Sequence, residues 1–303
     1  NANGLRRSGC KNSRTACRDT SRSSNQCSGS AFLLMVNHEG SSKVTLAVQN
    51  LSVKFGTKVV LNSIIAKIEP GRITVLIGPN GAGKSTLLSG FAGHLPDYSG
   101  LITIDKTPIG NFTPKQLAAL RAVMMQSDNL VFEFSVRDVI RMGLLPHVTC
   151  NANAQTEVIE DLADRCGIRH LLHQSILRLS GGEKQRVHFC RCLIQIWCNT
   201  GSYPDSAQYL ILDEPTSSQD IAGELRILNL VKERSSEGVG VLLVLHDLNI
   251  AAHFGDSFYL LKNGSVFAQG EADEVLTEST LSNVYETPVR IETRENRIQI
   301  NTF

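Results

Sequence analysis

Three apolar runs, each followed directly by glycine or polar residues, indicate a buried parallel sheet. They cover residues 73–77, 209–212 and 241–245. Near-continuous runs of this kind are typical of strands that are covered on both faces. Sheets of this type bind ligands at the carboxyl ends of their strands. The residues that follow the three runs are therefore the first candidates for a functional site.

The hydrophobic pattern elsewhere predicts two further layers. Residues 44–70 alternate between apolar and polar positions with turn signals, which indicates an antiparallel flank, and residues 101–105 are expected to join it. From residue 113 to residue 177 the pattern becomes helical, interrupted by the loop after Gln126 and by Pro146. The sequence thus predicts an α/β fold. It has a mostly parallel sheet as its core, an antiparallel β flank and a helical insert at about residues 126–178.

The first apolar run leads into a glycine-rich turn and then into a helix that Gly93 and Pro96 should end. The turn has the G-x-x-x-x-G-K-S pattern of a phosphate-binding loop, formed by Gly78, Pro79, Asn80, Gly81, Ala82, Gly83, Lys84 and Ser85, with Thr86 next. A strand, a glycine turn and a helix N-terminus direct backbone N–H groups into one concavity, which suits a polyphosphate.

Within this loop, Lys84 is expected to reach the β- and γ-phosphates, and the Ser85 hydroxyl to ligate Mg²⁺. Thr86 completes the predicted nucleotide contacts. The alternative interpretation is a tight turn followed by a helix-capping lysine. The pattern can occur by chance without a preceding strand or a following helix. Because both are predicted here, a nucleoside triphosphate site is favoured.

The second and third runs end in groups that phosphoryl transfer requires. Asp213 and Glu214 follow one strand, and His246 follows the other. Phosphoryl transfer needs a carboxylate that holds Mg²⁺ and a group that orients or deprotonates the attacking water. Asp213 is the candidate for the metal, Glu214 for the water, and His246 for the γ-phosphate, the water or Glu214. The alternatives are an ordinary solvated strand end for the two acids and a structural role for the histidine.

A second anion site is predicted at residues 179–186. Ser180 and Glu183 have the spacing of a capping box, so a helix should begin there. Gly181 and Gly182 leave the N-terminal amides of this helix uncovered, and such amides bind anions. Since the chain already has one phosphate loop, two subunits are expected to share each nucleotide. A capped surface helix would explain the serine and the glutamate, but not two adjacent glycines.

The order of these segments resembles the ATP-binding subunit of an ABC transporter. The resemblance covers about residues 46–291, and it rests above all on the Leu-Ser-Gly-Gly sequence that starts at Leu179. It implies a P-loop NTPase (RecA-like) fold, ATP and Mg²⁺ as ligands, and a head-to-tail homodimer that encloses two Mg-ATP. It also implies that residues 292–303 are a C-terminal tail.

The same resemblance assigns roles to further residues. Gln126 senses Mg²⁺, nucleotide and permease, and Phe55 stacks on adenine. Residues 217–220, which end at Asp220, form the loop that crosses the dimer interface. Members of the family usually have leucine where this chain has Gln219, which leaves the packing of that loop open.

Three segments are similar to haem (haemin) importers. They are residues 121–126 together with 132–140, residues 245–252, and a tryptophan-containing stretch at residues 196–204. The resemblance implies partners: membrane permease subunits and, through them, a periplasmic haem-binding protein, at the cytoplasmic face of the inner membrane. Iron–siderophore and cobalamin importers remain alternatives. A soluble ABC ATPase without a permease is a further alternative, and a non-ABC NTPase switch would leave residues 179–183 unexplained.

Composition narrows the partners. Thirty Lys and Arg against 29 Asp and Glu provide no electrostatic basis for binding nucleic acid. No apolar run approaches the roughly 18 residues that would cross a bilayer, so a transport pore must be another polypeptide. The eight cysteines do not form a disulfide framework, and Cys190 and Cys192 should face different sides of one helix. A reducing compartment fits this usage.

Residues 1–34 differ in composition from the remainder of the chain. They are rich in Ser, Asn and Arg, contain one acid, Asp19, and show no helical or strand period. Such a segment is expected to be disordered. It could be an organellar transit peptide. We favour upstream sequence translated in frame, because the first methionine is Met35 and the family-like sequence begins just after it.

Overall fold

The computed structural model describes residues 45–126, 132–146, 152–197, 207–294 and 297–302. The predicted leader at residues 1–34, the loop after Gln126 and most of the stretch at residues 196–204 lie outside the described residues. The strands are β1 Leu46–Phe55, β2 Lys58–Ile68, β3 Ile73–Ile77, β4 Ser99–Ile104, β5 Thr107–Pro108, β6 Arg121–Met124, β7 Tyr209–Asp213, β8 Gly240–Val244, β9 Ser257–Lys262, β10 Ser265–Gly270, β11 Val289–Arg294 and β12 Arg297–Thr302. The α-helices are α1 Lys84–Ala92, α2 Pro114–Leu120, α3 Val136–Met142, α4 Ala152–Arg165, α5 Gly181–Trp197, α6 Ile221–Ser236, α7 Leu248–Phe254, α8 Ala272–Val275 and α9 Glu278–Tyr285.

The central sheet has the strand order β10-β9-β3-β8-β7-β6. Its strands from β9 to β6 are parallel, and β10 pairs with β9 antiparallel at the edge. Every residue of β3, β7 and β8 is buried, as the three apolar runs predict. The predicted parallel core is therefore confirmed.

The predicted antiparallel flank is also confirmed. A second sheet has the order β2-β1-β4-β5, and β4 contains the expected additional strand. Along β2, residues 61 to 68 alternate between buried and exposed positions with one irregularity, because only one face of this sheet covers the core. Its buried side chains and those of α1 belong to one hydrophobic cluster with the inner face of the central sheet.

The sequence pattern was wrong at the edge of the central sheet. Residues 121–124 lie inside the stretch that was predicted to be helical, yet they form β6, which pairs in parallel with β7. Four residues are too few to show a strand period, and α2 ends immediately before them. The Gln195 side chain of α5 donates to the carbonyls of Ala118 and Arg121, at 2.7 and 3.0 Å, and so fixes the change from helix to strand.

The helical part that follows is built from α3, α4 and the first half of α5. Glu160 of α4 lies between two arginines, with Arg137 of α3 at 2.9 Å and Arg169 at 3.2 Å. The apolar faces of these helices continue the core of the central sheet. Within α5, Cys192 donates to the carbonyl of Val123 at 3.3 Å, whereas Cys190 hydrogen-bonds Cys166, so the two cysteines do face different sides.

The chain ends in a hairpin of β11 and β12 that packs on α7. The Asn249 side chain of α7 pairs with the backbone of Ile300 through two hydrogen bonds, at 2.7 and 3.1 Å. The boundary between ATPase domain and tail, predicted after residue 291, thus falls inside β11. Residues on both sides of this boundary form one hairpin.

Candidate functional site

The loop between β3 and α1 has the shape that a phosphate-binding loop requires. Gly78, Gly81 and Gly83 have φ angles of 145°, 79° and 104°, a region that favours glycine. A Cβ at Gly78 would lie 2.4 Å from the carbonyl oxygen of Leu261, and one at Gly83 would lie 2.7 Å from a Leu61 methyl group. Glycine is therefore required at both ends of the loop.

Lys84 begins α1 and is held against this loop. Its Nζ donates to the carbonyl of Gly78 at 2.7 Å and to that of Pro79 at 3.1 Å. The side chain is buried, and this burial lowers the pKa of its ammonium, while the nearby Glu214 and Asp213 oppose the shift. A buried ammonium with acids nearby is placed to contact the phosphates of a nucleotide.

Asp213 and Ser85 form a donor set that fits a hard divalent cation. Asp213 ends β7, is 2% exposed and accepts a hydrogen bond from the Ser85 side chain. Its Oδ1 atom is buried without a hydrogen-bond partner. Burial is the main cause that raises the pKa of this carboxyl. Carboxylate and hydroxyl oxygens are the ligands that Mg²⁺ prefers, so these two residues, with Gln126 nearby, fit the metal expected from the sequence.

Glu214 lies between two polar side chains from other strands. Gln126 Nε2 donates to its Oε2 at 2.9 Å, and His246 Nε2 makes a short contact with its Oε1. Its φ of 51° is unusual for a residue other than glycine. This backbone turn aims the carboxylate at the ends of β6 and β8. The structure thus brings together three residues that the sequence assigned to catalysis.

A cleft of about 430 Å³ joins these groups. It is lined by Lys58, Val60, Asn80, Gly81, Gly83, Lys84, Ser85, Thr86, Gln126, Glu214 and His246. Phe55 is 56% exposed at the end of β1 and does not belong to this lining. Lys58 and Val60 of β2 take part instead. Sequence reasoning missed them because only the β1–β2 hairpin brings them over the phosphate loop.

The second predicted anion site lies at the start of α5. The backbone N–H and the hydroxyl of Ser180 both donate to Glu183 Oε2, at 2.8 and 2.7 Å. These bonds confirm the predicted capping box and lower the pKa of Glu183. Ser180 and Gly181 are exposed, and neither they nor Gly182 line the cleft that holds Lys84. Gly181 instead lines a neighbouring cleft of about 270 Å³ with Gln126 and Asp213, so the start of α5 lies beside the cleft of the phosphate loop without lining it.

The segment between Glu214 and α6 packs against the first turns of α5. Asp220 caps α6 by accepting from the N–H of Gly223 at 2.7 Å. Gln185 of α5 donates to the carbonyl of Glu214 at 2.7 Å and accepts from the N–H of Ser218 at 3.2 Å. Sequence reasoning gave Gln185 no role, and no local signal would have revealed these contacts, because its partners follow about 30 residues later.

Comparison with known proteins decides the family. The family model described as "ABC transporter" matches residues 61–217. The chain belongs to the ABC transporter family. It is an ABC-type ATPase, and the predicted fold and recognition are confirmed. None of the helices in the described residues is both long and apolar enough to cross a membrane.

Two similar proteins from different bacteria share one name. The chain is 39% identical over 241 residues to "Hemin import ATP-binding protein HmuV" of Shewanella denitrificans, which covers 79% of this chain and 92% of that one. It is 40% identical over 243 residues to the protein of the same name from Bordetella avium, with 80% and 92% covered.

Solved structures agree on the fold. An "ATP binding subunit of ABC transporter" aligns with this ABC ATPase at a TM-score of 0.68 and 25% identity, over 80% of this chain and 98% of that chain. CbiO1 from Clostridium perfringens, part of the ABC transporter complex cbiONQ, aligns at a TM-score of 0.63 and 30% identity, over 80% and 94%.

Proposed function

We propose that this ABC ATPase powers haem (haemin) uptake through a separate membrane permease. The observation that carries the proposal is the similarity to proteins named hemin import ATP-binding proteins, over about four fifths of this chain and 92% of each relative. The candidate nucleotide-site residues that line one cleft support it. The sequence likeness around residues 121–140 and 245–252 supports the same cargo. In this arrangement the chain lies on the cytoplasmic face of the inner membrane.

The nucleotide is bound by the loop from Gly78 to Ser85. The backbone N–H groups of Asn80, Gly81, Ala82 and Gly83 face the phosphates, together with those of Lys84, Ser85 and Thr86. Pro79 has no N–H and contributes its carbonyl, which accepts from Lys84. Lys84 exchanges its contacts with the Gly78 and Pro79 carbonyls for the β- and γ-phosphates. An ammonium binds phosphate more strongly than it binds a carbonyl, because the hydrogen bond then joins two charges. Phe55, exposed at the end of β1, covers the adenine.

Ser85, Asp213 and Gln126 would hold Mg²⁺, which would neutralise phosphate charge when bound. Glu214 orients the attacking water and accepts its proton. His246 and Gln126 fix the carboxylate of Glu214 in place, as their contacts with its two oxygens indicate.

Each nucleotide site is completed by a second copy of the chain. Gly181 and Gly182 begin α5 without side chains over their amides, whereas the Ser180 N–H donates to Glu183; none of the three residues lines the cleft that contains Lys84. In a head-to-tail homodimer these amides, with Asp220 beside them, reach the γ-phosphate bound by Lys84 of the partner copy. ATP binding then closes the dimer and hydrolysis reopens it.

The permease is proposed to dock near the junction of the helical insert and the central sheet. A cleft of about 530 Å³ lies there between the ends of α1, α3 and α5 and the start of β6. Gly93, Met142 and Gly143 provide a small and apolar lining, and Arg121 and Arg191 add positive charge. Burial lowers the pKa of Arg121 to about 10, so this guanidinium remains charged at neutral pH. A short helix with an acidic residue fits such a cleft.

Reconstitution of the complex tests the cargo. The ABC ATPase, its own permease and a haem-loaded binding protein are placed in lipid, and ATPase rate and uptake are measured. Ferric siderophore and cobalamin, each with its matching binding protein, provide the comparison. Of the three cargoes, we expect only haem with its binding protein to stimulate the ATPase rate. Only contacts that differ between two permease states can shift the ATPase equilibrium. Uptake of siderophore or cobalamin, with none of haem, would overturn the cargo and leave the ATPase site standing.

A further inference from the structure

Both the nitrogen and the oxygen of the Gln219 side-chain amide form hydrogen bonds with α5. Its Nε2 donates to the carbonyl of Gly182 at 2.9 Å and to Gln185 Oε1 at 3.0 Å. Its Oε1 accepts from Arg186 Nη1 at 2.6 Å. The three partners all lie in the first two turns of α5. A primary amide has two donor hydrogens, and both are used here.

Two glycines make room for this amide. A Cβ at Gly182 would lie 2.5 Å from the carbonyl oxygen of Ser218 and 3.4 Å from Gln219 Nε2. A Cβ at Gly223 would lie 2.8 Å from Gln219 Oε1. The Gln219 side chain therefore folds back between α5 and α6 into a socket that glycine leaves open at both ends.

The socket is connected to the catalytic carboxylate. Gln185, which accepts from Gln219, also donates to the backbone carbonyl of Glu214 at 2.7 Å. Two backbone hydrogen bonds form the turns between Glu214 and Gln219. The N–H of Ser217 donates to the carbonyl of Glu214 at 3.3 Å, and the N–H of Gln219 donates to the carbonyl of Thr216 at 3.1 Å. A continuous hydrogen-bonded path thus runs from the carbonyl of Gly182 to the backbone of Glu214.

We propose that Gln219 is a positioning residue that fixes Glu214 and the N-terminus of α5 as one rigid unit. Within one chain, Glu214 serves the nucleotide on its own phosphate loop, whereas Gly181 and Gly182 serve the nucleotide of the partner copy. A rigid connection between Glu214 and the start of α5 therefore couples the two nucleotide sites of the homodimer, so that both sites close at the same time. The inference rests on the homodimer of the proposed function. Leucine, which is usual in the family here, could form none of these three hydrogen bonds.

The experiment compares variants of the full-length protein by steady-state ATP hydrolysis and by ATP-dependent dimerisation. Gln219→Leu removes all three hydrogen bonds. Gln219→Glu keeps an acceptor for Arg186 but removes both donors. We expect Gln219→Leu to lower kcat about tenfold, because displacement of Glu214 acts on the chemical step only through the lost positioning and not with the full energy of the three hydrogen bonds, with KM within about twofold of the parent. The cooperativity of hydrolysis with respect to ATP concentration should fall together with kcat. Gln219→Glu should have a kcat and a cooperativity between those of the parent and those of Gln219→Leu.

Gly223→Ala separates positioning from folding. The added methyl group would lie 2.8 Å from Gln219 Oε1 and 2.9 Å from Asp220 Oδ1, so it displaces the Gln219 amide and also disturbs the Asp220 cap of α6. The higher helix propensity of alanine offsets the weakened cap. We therefore expect lower kcat without a lower melting temperature, and no further loss when Gly223→Ala is added to Gln219→Leu. Gln269→Leu, an exposed glutamine on β10, is the matched control and should behave as the parent.

The outcomes separate the proposed function from the role of Gln219. An unsubstituted protein that neither hydrolyses ATP nor dimerises would overturn the proposed function. An active parent with Gln219→Leu at the rate and cooperativity of Gln269→Leu would overturn only the role of Gln219. A loss in Gln219→Leu that merely follows its melting temperature, and that Gly223→Ala does not reproduce, would also overturn it.

Discussion

Gln126 Nε2 donates a hydrogen bond to Glu214 Oε2 across 2.9 Å, although 88 positions separate the two residues in the chain. The contact forms because β6 and β7 are parallel neighbours, so that their carboxyl ends meet at one edge of the sheet. His246 follows β8, the next strand along, and contacts the other carboxylate oxygen. The ends of three consecutive strands of the sheet thus bring Gln126, Glu214 and His246 together at one edge.

Glu214→Gln should retain ATP binding and lose hydrolysis. The amide keeps the size of the carboxylate but cannot accept the proton of the water, and a general base contributes about 10²–10⁴-fold in rate. We expect kcat to fall by at least about 100-fold and closed dimers to accumulate on ATP, measured by phosphate release and size-exclusion chromatography. Hydrolysis near the parental rate would remove Glu214 from the catalytic role.

Lys84→Ala should weaken nucleotide binding itself. The substitution removes a charge-assisted contact to two phosphates, and such contacts contribute about 1.5–3 kcal/mol. We expect the Kd for ATP to rise roughly 10- to 100-fold, measured with a fluorescent nucleotide on the monomer. Lys58→Ala, at the rim of the same cleft but outside the loop, is the matched control and should change the Kd far less.

Ser180→Arg should leave nucleotide binding by the monomer intact and block dimer closure. Ser180 is exposed at the start of α5 and does not line the cleft of its own chain. A long cationic side chain would occupy the space where the partner's γ-phosphate is proposed to lie. We expect a parental Kd with no ATP-dependent dimer. A loss of affinity equal to that of Lys84→Ala would contradict the shared site.

Sequence reasoning predicted the local structure correctly where one contiguous segment contains the candidate side chain. The phosphate loop, the start of α5 and the ends of β7 and β8 each combine a local turn or cap with the reactive side chain. It failed at β6, because four residues between two helices show no strand period. It also missed Lys58, Val60, Gln185 and the packing of Gln219, because these residues acquire their partners only when distant elements meet.

Glu183 should give α5 a pH-dependent stability. Two hydrogen bonds from Ser180 lower the pKa of this carboxyl. A lowered folded-state pKa means that the ionised form stabilises the fold above the unfolded value of about 4.3. This stabilisation is lost as pH falls through the folded pKa. Glu183→Gln, whose amide oxygen can still accept from Ser180, should therefore be slightly less stable than the parent at pH 7.

Thermal denaturation between pH 3.5 and pH 7, a range set around that carboxyl's unfolded value of about 4.3, measures this difference. The gap between Glu183→Gln and the parent should narrow as pH falls, because the parental carboxyl becomes neutral as well. Glu224→Gln, which removes an acid from the first turn of α6 rather than α5, is the control. A gap that stays constant with pH would show that the charge of Glu183 contributes nothing.

Trp197, the single tryptophan of the chain, ends α5 and lies between arginines of α4 and α6. The guanidinium carbons of Arg165 and Arg234 lie 4.9 and 3.8 Å from its ring centroid. Arg165 ends α4 and Arg234 lies in the last turn of α6, and both pair with Glu233. Cation–π contacts contribute about 0.5–1 kcal/mol when exposed and about 2 kcal/mol when desolvated.

Arg165→Leu should therefore lower the free energy of unfolding by about 1–2 kcal/mol, since one cation–π contact and one ion pair are lost together. Urea denaturation followed by tryptophan fluorescence measures it. Arg169→Leu, which removes an exposed ion pair with Glu160 but no contact with Trp197, is the matched control and should cost less than about 1 kcal/mol. If both substitutions lowered the stability equally, the ring of Trp197 would not be what connects α4 to α6.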